Sequence, residues 1–461
     1  MDTFEGTIVA PATARGGAIS VIRVSGGDAI ACVDRIFSGK APLSDAPGYS
    51  LHFGSLHEAD GTQLDDVLVS VFRAPHSYTG ENAAEIACHG SEYIVSRILA
   101  LLCENGAKMA APGEFTQRAF LHGKMDLSQA EAVADLIAAQ TAAAHRIALK
   151  QLKGGFSEEL AGMRAELLQL ASLLELELDF SEEEVEFADR TKLRSLVEKV
   201  RAHCQKLIES FRLGNAIKNG VPVVIVGNPN SGKSTLLNAL LGEDRAIVSD
   251  IAGTTRDTIE ETCNLDGVLF RFIDTAGLRE SEDTIERIGV ERAYAKISAA
   301  QLVLAILDLT APLPDLLASA RDIASRVTDE QQLIFLLNKA DAVSPEVVEA
   351  ARSALPERSV FTLSAKKGLG LDALKSALAA TWRNLDTAAE TTLVTNARHL
   401  EALQNAAAAL SRVQDGLAAA IPTDLVAQDL RETLYHLGSI VGQVSDNEIL
   451  GNIFEHFCIG K

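Results

Sequence analysis

The stretch VPVVIVGNPNSGKSTLLNALLG, residues 221–242, decides the fold. Its opening run carries no charge, and apolar text so unbroken suits a strand covered on both faces, as in a parallel sheet flanked by helices. Gly227, Gly232, Lys233 and Ser234 then fill the spacing GxxxxGK[ST], and helical text follows. Each position has a physical reason. Glycines let backbone N–H groups wrap phosphate oxygens, the helix N-terminus adds its dipole, Lys233 brings a point charge, and the Ser234 hydroxyl can ligate magnesium. Asn230, Ser231 and Thr235 belong to the same candidate phosphate-binding set.

Downstream, three more elements follow in order. The segment SDIAGTTRDT (249–258) contributes Ser249, Thr254 and Thr255, and at this spacing Thr255 reads as a switch threonine closing on magnesium and phosphate. Asp274, Thr275, Ala276 and Gly277 come directly after LFRFI, where a carboxylate at a strand's C-terminal end reaches magnesium through water and the Gly277 amide meets the terminal phosphate. Asn338, Lys339 and Asp341 follow the apolar run LIFLL. A carboxylate at Asp341 accepts from the ring imino and exocyclic amino groups of guanine, a donor pair that adenine lacks. Ser364, Ala365 and Lys366, after a further strand, close over the base edge. Together these elements select GTP over ATP. Catalysis is less direct, because Leu278 stands where small GTPases commonly place a water-orienting glutamine. Glu286, in EDTIERIGVERA, is the carboxylate chosen to orient or polarise the attacking water; its alternative reading is a helix-start glutamate favoured by the macrodipole.

The rest of the chain has two textures. Residues 1–121 show short β-type runs (TIVA, AISVIRVSGG, VLVSVF) with Gly and Pro punctuation, the mark of a compact α+β domain. After Lys124 the text turns Ala- and Leu-rich at helical spacing (Leu127, Ala130, Val133, Ala134, Ile137), and that texture returns after about residue 393. Between them, β runs alternate with helical segments as in a doubly wound sheet. The expected architecture is therefore multidomain α/β + α: an α+β domain (1–121), a helical domain in two parts (122–219 and 383–461), and an inserted doubly wound P-loop domain (220–382).

Composition narrows the partners. With 42 Lys+Arg against 63 Asp+Glu, the net charge is -21, which disfavours a generic electrostatic coat around nucleic acid. Six scattered cysteines with no CxxC pair signal neither a disulfide framework nor a zinc site. No apolar run approaches the roughly 18 residues that span a bilayer, and Asp2 and Glu5 do not suit a secretory leader, so a soluble, cytoplasmic protein is expected. The stretch 175–189 holds eight carboxylates and no base. It reads either as a solvated helix end and linker or as a contact surface for a basic partner.

With the phosphate loop, GTTRDT, DTAGLR, NKAD and SAK assembled, the inserted domain resembles the translation-factor-related GTPases. Adding LHGKMDLSQAEAVADLI (121–137) and the terminal FCIGK (457–461), essentially the whole chain resembles the MnmE (TrmE) family of tRNA modification GTPases. That resemblance implies potassium-dependent dimerisation of the GTPase domains, with a cation replacing an arginine finger, a device worth roughly 10³ to 10⁵ in rate. Asn230, Ser249, Ile251 and Thr254 would supply its oxygens. It further implies a homodimer whose N-terminal domain binds 5-formyl- or 5,10-methylene-tetrahydrofolate through Arg23, Glu81, Lys124 and Lys461. Without it, Arg23 reads as a strand-edge charge and Glu81 as a turn residue. Cys458 takes part in the one-carbon step or is a small apolar residue of a C-terminal helix. The family's partner is the flavoprotein MnmG, bringing FAD and NADH chemistry in a heterotetramer or larger complex, and its substrate is the wobble uridine of tRNA, modified at carbon 5. Two departures from the family pattern are His122, where Asn is usual, and Ser91, where Gly is usual. A GTP-switched RNA-binding factor for ribosome assembly shares the GTPase motifs, but such factors append a basic module, and none is visible after Trp382. A stand-alone one-carbon transferase carrying a GTPase is a third reading.

Overall fold

Alternation in the first part of the chain becomes a seven-stranded sheet. The computed structural model of the protein describes residues 6–179, 190–242, 261–273, 297–355, 359–382, 392–419, 421–444, 447–454 and 457–460. Its first strands are β1 (Ile8–Pro11), β2 (Ile19–Ser25), β3 (Phe37–Gly39), β4 (Ser50–His57), β5 (Gln63–Phe72), β6 (Ala83–His89) and β7 (Lys108–Met109). They lie in the order β3-β4-β5-β6-β2-β1-β7, antiparallel except for the β1–β7 pair. Because side chains alternate along a strand, Val67, Val69 and Val71 share one face with Ile22, Val24 and Ile86. That face is buried, together with Ile98, Leu101 and Leu102 of helix Glu92–Glu104. On the opposite face, β4 and β5 set Phe53 directly across from Leu68, and both are exposed, as are Leu51 and Ile19.

Backbone proximity divides the chain into two compact units. One gathers residues 1–134, 151–164 and 435–461; the other gathers 135–150 and 165–434. Residues of the helical texture fall in both. In the first unit, Leu127 and Ala130 pack with Leu450, Phe454 and Phe457, which fastens the C-terminal segment to this unit's core.

The second unit holds a six-stranded sheet of β8 (Val221–Val226), β9 (Glu261–Leu265), β10 (Val268–Phe272), β11 (Leu302–Asp308), β12 (Gln332–Asn338) and β13 (Ser359–Thr362), in the order β13-β12-β11-β8-β10-β9. All pairs are parallel but the β9–β10 hairpin. Every residue of β8 is buried, as its unbroken apolar run requires of a strand with helices on both faces. The chain leaves β8 in one direction toward β10 and later returns to place β11 on its other side. The C-terminal end of β8 is thus a topological switch point, the crevice where doubly wound sheets bind ligands. In the same unit, helix Arg190–Asn219 buries Leu193, Val197, Val200, Cys204 and Leu207, spaced by four and three residues, against helix Ala397–Ala418.

Candidate functional site

At the switch point, β8 runs through Gly227–Gly232 into helix Lys233–Leu241. Gly232 caps that helix in a left-handed conformation (φ +101°), and a Cβ there would come within 2.3 Å of the Asn338 side-chain nitrogen, so both the turn and the contact demand glycine. Lys233 Nζ donates to the carbonyl oxygens of Gly227 and Asn228 at 3.1 and 2.9 Å, curling its charge over the loop. Ser234 and Thr235 are exposed on the helix's first turn. Asn230 also has positive φ (+60°), in the turn itself. The Ser231 hydroxyl is buried without a hydrogen-bond partner among the described residues.

Asn338 joins this loop to the loops predicted to read the base. Its amide nitrogen donates to the Ser231 carbonyl at 2.7 Å, and its amide oxygen accepts from the Ala365 N–H at 3.0 Å. It is buried, so both bonds replace water and fix three loops relative to one another. Lys339, left-handed at φ +65°, reaches Asp308 Oδ2 at 2.6 Å. Asp341 accepts from the Ser364 hydroxyl and pairs with Lys367 Nζ at 3.2 Å; these interactions, the Ser364 bond foremost, hold its carboxyl below the usual carboxylate range. Ser364 and Ala365 are buried, whereas Lys366 is exposed. The predicted base-reading residues thus converge at the ends of β12 and β13, although at Asp341 the lysine in contact is Lys367 and not Lys366. Asp308 and Lys367 were missed by motif reading because neither belongs to a motif. Ser249, Ile251, Thr254, Thr255, Asp274, Thr275, Ala276, Gly277 and Glu286 lie outside the described residues, so of the expected ligands only Asn230 for potassium and Ser234 for magnesium are placed.

The first unit brings together the other predicted set. Arg23, on β2, pairs with Glu85 at 2.8 Å, donates to the Gly460 carbonyl at 3.4 Å, and lies over the rings of Tyr78 and Phe115. Glu81 accepts from the Ser25 hydroxyl at 2.8 Å and pairs with Arg118 at 3.0 Å. Arg118 in turn binds Glu114 at 2.7 Å and the Gly6 carbonyl at 2.9 Å. The Lys124 stem passes beside Gly80 and its ammonium donates to the Pro75 carbonyl. Gly460 (φ +94°) lies so close to β1 that a Cβ would sit 2.2 Å from the Pro11 carbonyl, which brings the C-terminal tail to Arg23. Cys458 is half-buried and its carbonyl accepts from Gly113 N–H. Lys461 lies outside the described residues. A cationic guanidinium flanked by aromatic rings, a half-buried carboxylate and an exposed lysine form a polar set that fits a flat, amide-bearing heterocycle with an acidic tail. Arg118 and Glu114 were missed, though their i,i+4 spacing in EFTQR was there to be read. Of the acidic stretch, Glu177 pairs with Arg190 and Glu175 with Arg431, so these two carboxylates are partnered within their own unit; residues 180–189 lie outside the described residues.

Comparison with known proteins gives the family of the chain. The family model described as "GTP-binding protein TrmE N-terminus" matches residues 7–124, and "MnmE helical domain" matches 127–458. The chain is 51% identical over 465 residues to a protein of Bacteroides fragilis named "tRNA modification GTPase MnmE", covering 99% of both chains. Proteins of the same name from Parabacteroides distasonis and Flavobacterium psychrophilum are 50% and 49% identical, each over 99% of this chain and 100% of its relative. With family models covering both parts of the sequence and relatives matched end to end, the chain belongs to the MnmE (TrmE) family.

Proposed function

We propose that this protein is the GTP-hydrolysing subunit of an enzyme that modifies the wobble uridine of tRNA at carbon 5, adding an aminomethyl or carboxymethylaminomethyl group from a folate one-carbon unit. The observation that carries the reading is the Asn338 bridge, which locks the phosphate loop to the loops bearing Asp341 and Ala365 and so builds one pocket for a guanine nucleotide. Within it, Asp341 accepts from the guanine edge and Lys233 with the loop amides holds the phosphates. Ser234 with Thr255 would hold magnesium; Asn230 with Ser249, Ile251 and Thr254 would hold potassium, whose charge stabilises the transferring phosphoryl group. Asp274, Thr275, Ala276 and Gly277 meet the terminal phosphate, and Glu286 orients water.

In the N-terminal domain, Arg23, Glu81, Lys124 and Lys461 bind 5-formyl- or 5,10-methylene-tetrahydrofolate, with Cys458 at the edge of the one-carbon chemistry. The protein works as a homodimer in the cytoplasm with the flavoprotein MnmG, which supplies FAD and NADH chemistry and holds much of the tRNA. Support for self-association comes from the outward sheet face, where Leu51, Phe53, Leu68 and Ile19 form an exposed apolar surface around strands that also carry Arg23. Among the described residues no helix is long and apolar enough to cross a membrane. Domain limits of 1–121, 122–219, 220–382 and 383–461 remain the division we propose for these tasks.

The test is deletion of the gene followed by mass spectrometry of bulk tRNA nucleosides. Loss of 5-substituted uridines, restored by the intact gene but not by a Glu286→Ala copy, is expected. Nucleosides at the parental level would overturn the reading.

A further inference from the structure

We propose that Asp308 is a positioning residue for the guanine pocket, acting by anchoring the Lys339 ammonium so that the lysine stem forms a fixed wall beside the base. Asp308 ends β11 and lies across the parallel register from Asn338, the residue before Lys339. Its Oδ2 is 2.6 Å from Lys339 Nζ. Its Oδ1 accepts from the Thr310 N–H at 2.9 Å and the Thr310 hydroxyl at 2.7 Å, so the carboxylate is itself held in place. Burial works to raise the Asp308 carboxyl, and donation from Lys339 and Thr310 outweighs it, leaving it ionised well below neutral pH.

Lysine side chains carry large rotamer entropy, and one left free would have to be ordered each time a base arrived. Here that ordering precedes the ligand. With the backbone fixed in the left-handed turn and the ammonium fixed on Asp308, the half-buried methylene stem has both ends tied, next to the loop that carries Asp341. An apolar strip of that kind suits the face of a purine, not its edge. Asp341 reads the edge; Asp308, through Lys339, sets the face.

The inference rests on Asp341 being the base-selecting carboxylate, and the two can be separated. Affinities of the full-length protein for GDP, IDP and XDP are measured by competition against a fluorescent guanine nucleotide, for wild type, Asp308→Asn, Lys339→Met and the double variant, with Asp341→Asn alongside. Asp308→Asn is expected to weaken all three diphosphates equally, by roughly ten- to 150-fold, the range of one hydrogen bond to a charged group. It should raise KM for GTP while leaving kcat at saturation unchanged, and have no added effect once Lys339 is Met. Thr310→Val, which removes the hydroxyl donor and leaves the backbone N–H on Oδ1, is a milder variant expected to shift affinity in the same direction. An unchanged affinity in Asp308→Asn and Thr310→Val, or a loss that persists undiminished in the Lys339→Met background, overturns the proposal. If instead Asp341→Asn fails to shift preference toward XDP, the reading of the pocket itself fails and the proposal falls with it.

Discussion

Lys367 Nζ lies 3.2 Å from Asp341 Oδ2, on the carboxylate that the guanine edge is proposed to engage. Guanine offers two adjacent donors and a carboxylate has two oxygens, so the base and the lysine compete for one of them. Lys367 is largely exposed, and exposed pairs are weak. Lys367→Met should therefore tighten GDP binding by only about two- to fivefold, chiefly through faster association. The gain should shrink as salt rises, because salt already screens the competing pair. Stopped-flow mixing with a fluorescent GDP at two ionic strengths measures this; weaker binding in Lys367→Met would mean that the lysine assists the nucleotide.

Asn338 makes a contrasting case, because it is buried and its amide is used at both ends. Asn338→Ala leaves the Ser231 carbonyl and the Ala365 N–H without their partner, and each unmet buried group costs about 1–3 kcal/mol. Thermal unfolding should begin at a lower temperature even without nucleotide, and nucleotide affinity should fall, opposite in sign to the effect of Lys367→Met. Calorimetry of the variant with and without GDP separates the two effects.

Much of this was legible in the sequence because phosphate binding and base selection use short contiguous motifs whose backbone geometry is local. GNPNSGKS and NKAD dictate their turns, and the strands before them announce themselves as apolar runs. Asp308 and Lys367 were not legible, since each acquires its role only when β11 is set beside β12, or when the residue after SAK folds back on Asp341. The same holds in the N-terminal unit. Arg23 reads as a strand-edge charge until register places Glu85 across from it and the docked tail brings the Gly460 carbonyl within reach. Helical texture showed that helices exist but not how they group, because apolar stripes at helical spacing do not name their partners.

The exposed apolar face of the first sheet invites a direct test. Phe53 is 69% exposed and lies directly opposite Leu68, a pairing that costs solubility unless something covers it. Phe53→Asp with Leu68→Lys should leave the fold intact, since neither side chain belongs to the buried core of the sheet. Light scattering should then report half the wild-type mass. Unchanged mass would move the self-association surface elsewhere.

Arg118 offers the sharpest test of the proposed folate site, because it is not among the predicted folate-binding residues and yet pairs with one of them, Glu81. Its side chain is 3% exposed and lies between Glu81 and Glu114, with the Gly6 carbonyl as a third partner. Removing one member of a buried ionic cluster strands the others: Arg118→Met leaves two carboxylates near one another with no compensating charge, a change that typically costs about 3–5 kcal/mol. If Glu114 is the chief source of that cost, Arg118→Met with Glu114→Gln should recover much of the stability, since one stranded charge is gone. Folate binding should not recover with it, because Glu81 would still lack the guanidinium that orients it. The measurement is a pair of curves for each variant, thermal unfolding and titration with 5-formyl-tetrahydrofolate. Stability restored with binding still lost assigns Arg118 to the orientation of Glu81; both restored together would reduce it to a structural ion pair.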